Sequence, residues 1–106
     1  MTNLLQVSTT FSRRSDALRI ARTLVEQRLA ACAQIVGPIT SIYWWQGRRY
    51  RSREWLCLLK TRTSLYPRLQ QKLLRLHPYE TPEIVATRVV TGNPDYLDWI
   101  RRETTG

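Results

Sequence analysis

The sequence predicts one α+β domain, residues 1–106, of the ferredoxin-like βαββαβ type: an antiparallel sheet, two helices on one face and a short C-terminal helix. Three observations predict it. Strand-like and helix-like segments follow one another in that order. Two segments carry apolar stripes at helical spacing. At 106 residues the chain has room for one core and not for a second domain.

The elements follow in chain order. Leu5, Val7 and Thr9 alternate with more exposed positions and mark a first strand. Ser12 or Ser15 can cap a helix running to about Ala31, with Ala17, Ile20, Ala21, Leu24, Val25 and Leu29 on its apolar stripe. A second strand covers about Ala33 to Trp45, bent or at an edge because Pro38 interrupts it. Gln46-Gly47-Arg48-Arg49 reads as the turn, and Trp55 to Thr61 as the third strand. The unbroken run Leu56-Cys57-Leu58-Leu59 there predicts burial on both faces. Ser64 can cap a second helix whose stripe is Leu65, Leu69, Leu73 and Leu76, ended by His77-Pro78. Glu83 to Val90 is the fourth strand. Asn93 then caps a short helix with Pro94 in its first turn and Tyr96, Leu97, Trp99 and Ile100 along it. That helix is too short to cover the second sheet face, and contact between sheets of different subunits would supply the cover.

The net charge is +9, and fifteen of the seventeen basic residues are arginine, densest at Arg48, Arg49, Arg51 and Arg53. Such charge suits nucleic acid or an anionic ligand, but no nucleic-acid motif accompanies it, and a solvated Arg-rich surface is the other reading. No apolar run approaches the ~18 residues that span a bilayer, and Met1 to Leu5 lacks the pattern of a secretory leader. The expectation is a cytoplasmic protein with no membrane partner. Cys32 and Cys57 form no CxxC pair. If the hairpin turns near Gly47, Cys57 faces a residue near Pro38 and Cys32 lies roughly 20 Å away, so two free thiols are expected.

Four segments together resemble the CutA family of divalent-cation tolerance proteins: Arg28 to Cys32, Ser41 to Gly47, His77 to Glu83, and Gly92 to Ile100, with Lys60-Thr61 between the second and third. The resemblance runs from about Leu4 to Arg101. It implies a ferredoxin-like fold, a PII-like homotrimer, a role in divalent-cation tolerance, copper binding in some members, and no accepted catalytic reaction. The copper ligands proposed for the family include a Cys at the end of the first strand and two adjacent His. Here those positions are Thr9 and Leu76-His77, so only one of those ligands remains. The implied cofactor is copper or another divalent cation, with none needed for folding.

Each candidate residue carries two readings. His77 is a metal ligand or proton donor at an intersubunit cleft, or a helix-terminal His bonding carbonyls. Glu80 and Glu83 hold a hard cation or a cationic ligand, or pair with arginine. Cys32, expected to end the first helix, joins His77 as a soft ligand or fills space as a small hydrophobe. Lys60, Tyr79 and Trp45 are candidates to line a ligand cleft, and Lys60 could bind an anion, since PII-like clefts hold nucleotide. Tyr43, Trp44 and Trp45 would form a sticky patch on a monomer and so mark a subunit interface, with Tyr43 and Trp45 on one face and Trp44 on the other. No nucleophile elbow accompanies the single His, and the expectation is a protein that is not an enzyme. The rival reading is an RNA-binding module that grips phosphate with Arg48, Arg49, Arg51 and Arg53 and stacks bases on Tyr50 and Trp55.

Overall fold

A computed structural model describes residues 2–104. The elements are β1 (Leu4–Phe11), α1 (Arg14–Glu26), β2 (Cys32–Trp45), β3 (Arg48–Arg62), a 3-10 turn (Thr63–Leu65), α2 (Tyr66–Leu76), β4 (Ile84–Arg88) and α3 (Pro94–Glu103). The strands form one antiparallel sheet in the order β2-β3-β1-β4, which is the ferredoxin-like topology.

Residues directly opposite in adjacent strands share a face. Val7 and Thr9 on β1 oppose Leu59 and Cys57 on β3, and all four point toward the helices. There the apolar members meet Phe11, Ala17, Ile20, Leu24, Leu69 and Leu73 in the main core. Burial pushes the Cys57 thiol up to about 11, so it stays protonated as a small core hydrophobe. The opposite face carries Gln6, Ser8, Leu56, Leu58, Val36 and Val85. α3 covers only one end of it, through Leu97 and Ile100 against Leu4 and Ala31. Elsewhere it is open, with Val36 49% and Val85 51% exposed.

Several boundaries differ from the sequence expectation. α1 stops at Glu26, not Ala31, because Arg28 turns left-handed (φ 62°) and the amides of Leu29 and Ala30 both fold back onto Leu24 O. Cys32 therefore opens β2 and does not end a helix. Neither Ser12 nor Ser15 caps α1, whose N-cap is Arg13; Ser64 sits in the 3-10 turn, and α2 starts at Tyr66 with Pro67 in its first turn. Asn93 does cap α3, its side chain accepting from the Asp95 amide at 3.0 Å. β4 is shorter than expected, ending at Arg88.

The largest difference is β3. It begins at Arg48 and not at Trp55, because the turn is only Gln46-Gly47, both at positive φ (51° and 76°), the arrangement of a tight two-residue hairpin. The arginine cluster is thus strand, and the β2–β3 hairpin projects beyond the helices; the molecule measures 44 × 25 × 22 Å. A bulge at Gly37-Pro38 shifts the register between Val36 and Ile39. Gly37 is pressed by Trp55, whose ring would stand 2.5 Å from any Cβ there. Cys57 opposes Ile35, not Pro38. Cys32 is three residues further along, roughly 10 Å, and both thiols are free. The run Leu56 to Leu59 is buried on the helix face (Cys57, Leu59) and only half-buried on the open face.

Candidate functional site

Three pieces of chain converge where the hairpin leaves the sheet: the end of β1, the β2–β3 arms past the bulge, and the segment after α2. They enclose a cleft of about 660 Å³. His77 sits behind its wall and organises it. Pro78 forbids further helix, so His77 turns extended (φ −68°, ψ 134°) and its ring folds inward. The ring stacks on Phe11 with centroids 4.4 Å apart and planes 11° from parallel. Its Nε2–H donates to Thr10 O at 2.9 Å, and its Nδ1 accepts from the Tyr79 amide at 3.1 Å. The residue is 7% exposed, and both nitrogens are spoken for within the chain.

That geometry places Tyr79, the first wall residue of the segment after α2. Its hydroxyl donates to Glu54 Oε2 at 2.7 Å. Burial, and then the bond to Glu54, raises the Tyr79 pKa well above its ordinary value. Glu54 is 7% exposed, the one acid in a strand that begins with Arg48 and Arg49. Tyr43 and Tyr50 face each other across the hairpin, stacked at 5.9 Å, and Tyr43 Oη lies 2.8 Å from Ser52 Oγ. Trp45, Glu80 and Glu83 complete the wall, and among the described residues no lysine or arginine lines it.

The structure brings Tyr79, Glu80, Glu83, Tyr43 and Trp45 together on one cleft wall, with His77 bonded to Tyr79 behind it. It keeps Cys32 and Lys60 apart from them. Lys60 opposes Gln6 and Cys32, whereas Thr10, the His77 partner, opposes Leu56. Four strand residues separate the two places, roughly 13 Å. Lys60 Nζ donates to Gln34 Oε1 at 2.8 Å, and Cys32 Sγ sits 3.6 Å from Tyr96 Oη. That contact, then burial, pushes Tyr96 up to about 12. Trp44 lies on the other face of the hairpin beside Arg49 and is 73% exposed. Glu80 and Glu83 are exposed and take part in none of the ion pairs among the described residues. Among those residues no three of His, Cys, Asp and Glu are grouped to hold a metal within one chain. Sequence reasoning missed Glu54 and Thr10, and gave Tyr50 a base-stacking role and not a place on this wall. For Glu54 a signal existed: it shares alternation with Tyr50 and Ser52 and stands alone as an acid among arginines.

A family model described as CutA1 divalent ion tolerance protein matches residues 5–103. The chain belongs to this CutA1 family. It is 51% identical over 88 residues to the divalent-cation tolerance protein CutA of Thermus thermophilus, covering 83% of this chain and 85% of that protein. The human Protein CutA is 46% identical over 88 residues, and the match spans 49% of its length. Two solved structures superpose closely. One is the divalent cation tolerance protein Cut A1 from Thermus thermophilus, with TM-score 0.93, 46% identity, and 96% and 99% of the two chains covered. The other is CutA1 from a psychrotrophic Shewanella, with TM-score 0.95, 38% identity, and 99% and 98% covered.

Two of the four CutA-like segments, Ser41 to Gly47 and His77 to Glu83, converge on the cleft. At the positions where the family's copper ligands were expected, Thr9 is sealed in the core with its hydroxyl unpartnered among the described residues, and Leu76 packs against the same core.

His77 also gives this CutA1-family chain a pH dependence. Burial lowers its pKa below 6.5, outweighing the bond to Thr10 and the nearby Asp16 and Glu54 charges. Above pH 6.5 the imidazole is neutral in folded and unfolded chains alike, and its contribution to stability is complete. As pH falls from 6.5 through the lower folded value, the unfolded chain takes up a proton that the folded chain refuses, and stability is lost. His77→Gln keeps a donor for Thr10 O and an acceptor for Tyr79 N–H without titrating. Melting series on both sides of pH 6.5 should show an acid-side decline in the parent that is flattened in His77→Gln.

Proposed function

We propose that this chain serves divalent-cation tolerance as a non-catalytic, cytoplasmic homotrimer that takes a cation at the cleft beside the β2–β3 hairpin. The observation that carries the reading is the charge inversion there. In a protein of net charge +9, three of eight acids, Glu54, Glu80 and Glu83, gather around one cleft that no basic side chain among the described residues lines. Carboxylate oxygens are ligands for hard divalent cations, and symmetry copies in a trimer would complete a coordination shell. Copper at His77 would first have to displace the Tyr79 amide or the Thr10 carbonyl, and Cys32 lies outside the set. Two free thiols agree with a reducing compartment, and among the described residues no helix is long and apolar enough to cross a membrane.

The test is titration of Mn²⁺ and Cu²⁺ into the purified protein, with its mass measured by light scattering. The expected result is a trimer that binds Mn²⁺, keeps binding in His77→Ala, and loses it in Glu80→Gln/Glu83→Gln. Loss in His77→Ala with retention in the double variant would move the site to the imidazole. A trimer that ignores both metals would end the cation reading.

One observation favours a second reading, binding of a nucleic-acid strand. Arg49, Arg51 and Arg53 share one face of the projecting hairpin with exposed Trp44 and Ile42, and none makes an ion pair among the described residues. Salt-sensitive binding of oligouridylate, weakened in Arg49→Ala/Arg51→Ala, would support it; no binding at low salt would remove it.

A further inference from the structure

We propose that the interior of the cleft is a binding site for an organic cation, a guanidinium, amidinium or alkylammonium group carried on an apolar body. The inference rests on the reading of the cleft as the ligand site, and concerns its interior where the metal proposal concerns its rim.

Each kind of occupant would meet different chemistry. An anion would face Glu54, Glu80 and Glu83 with no basic side chain among the described residues on the wall. A neutral apolar molecule would seal Glu54 away from water. That carboxylate belongs to a residue only 7% exposed, and among the described residues its only side-chain partner is the Tyr79 hydroxyl, on Oε2. Oε1 has no hydrogen bond there, yet it is not sealed in the protein, so it opens toward the space that Glu54 lines. Burying that charge unpaired is costly. A bare metal ion would satisfy Glu54 but leave the aromatic wall and most of the 660 Å³ unused, a volume within the range of small-molecule pockets.

An organic cation answers every feature. Its N–H groups or positive charge pair with Glu54 Oε1 in a charge-assisted contact. Its body lies against Tyr43, Tyr50 and Trp45, residues 41%, 40% and 38% exposed whose rings attract cations over their faces. The Tyr43–Tyr50 stack and the His77–Tyr79–Glu54 chain of hydrogen bonds hold these groups in place before any ligand arrives.

The experiment uses benzamidine as the probe and benzamide, its neutral isostere, as the control, by isothermal titration into the full chain whose mass is followed by light scattering. The expected result is benzamidine binding with benzamide about tenfold weaker or worse. Glu54→Gln, which keeps an acceptor for Tyr79, should abolish that preference. Tyr50→Leu, where the ring is lost but bulk is kept, should weaken benzamidine about tenfold in a protein that still folds; it carries the test if Glu54→Gln does not fold. Equal binding of the two probes, or benzamidine binding untouched by Tyr50→Leu, overturns the inference. Mn²⁺ binding without benzamidine binding overturns it and leaves the proposed function standing; if neither binds, both fall.

Discussion

Phe11→Ala should lower unfolding stability by about 3–5 kcal/mol, the usual cost of emptying a fully buried aromatic site. Phe11 has no exposed surface, and it packs between the helices and the sheet at the last position of β1. Against a total of about 5–15 kcal/mol for a folded domain, that is a large share of the whole. The consequence is also local. Phe11 is the surface on which the His77 ring lies flat, and His77 in turn sets Tyr79, which reaches Glu54. Denaturant melts at fixed protein concentration check the magnitude, since assembly adds a concentration term. A change under about 1 kcal/mol would show that the aromatic support is dispensable. Loss of cation binding under conditions where the variant is still folded would show that the cleft is built up from β1.

Leu58→Arg should convert the proposed trimer to single chains. Leu58 sits on the uncovered sheet face, opposite Ser8 on one side and Gln34 on the other, with Val36 and Val85 on the same surface. Its side chain points away from α1 and α2, so the main core is untouched. A guanidinium there would meet its own copies in a symmetric seam of sheets, unpaired and desolvated, where central interface positions cost about 2 kcal/mol or more each. Light scattering should fall from three chains to one, with the far-ultraviolet circular dichroism retained. Leu58→Met should remain three. A Leu58→Arg protein that still measures three chains would place the seam elsewhere, with the Tyr43 and Trp45 side of the hairpin as the next surface to alter.

What the sequence made legible follows side-chain period. The stripe of α1 as far as Val25, that of α2 from Leu69 to Leu76, and the Asn93-Pro94 cap are local patterns, and the structure has them where they were expected. The end of α1 was not legible, because Leu29 and Ala30 continue the helical spacing while the backbone at Arg28 has already left it. The first half of β3 was hidden because its arginines carry no apolar alternation. That stretch is held as strand by its ladder to β2, where Trp45 opposes Arg48 and Tyr43 opposes Tyr50. The cleft divides the same way. His77 to Glu83 and Ser41 to Gly47 are contiguous segments and could be named in advance. Glu54 joins them only through register across two strands, and the same unknown register let Cys32 and Lys60 be grouped with residues that the sheet holds at its other end.

The bulge at Gly37-Pro38 decides more than a bend. Between Val36 and Ile39, β2 advances three residues while β3 advances two. The strand therefore stores one residue of slack. Because of it, odd-numbered Ile39 opposes Glu54, and Tyr43 and Trp45 follow onto the cleft side, although odd-numbered Ala33 and Ile35 look toward the helices. Taking up the slack at constant length would slide the outer arm by one place, set Pro38 opposite Glu54, and bring Ile42 and Trp44 to the Glu54 side. Tyr43 and Trp45 would then join the arginines, exchanging the two proposed recognition surfaces of the hairpin without replacing a side chain among them. Losing one residue at the bulge itself has the opposite effect: the ladder becomes regular and Ile39 still meets Glu54. A one-residue loss at Gly37-Pro38 therefore keeps the pairing of Ile39 to Trp45, whereas the same loss between Ile39 and Trp45 moves the residues on one side of it to the opposite face.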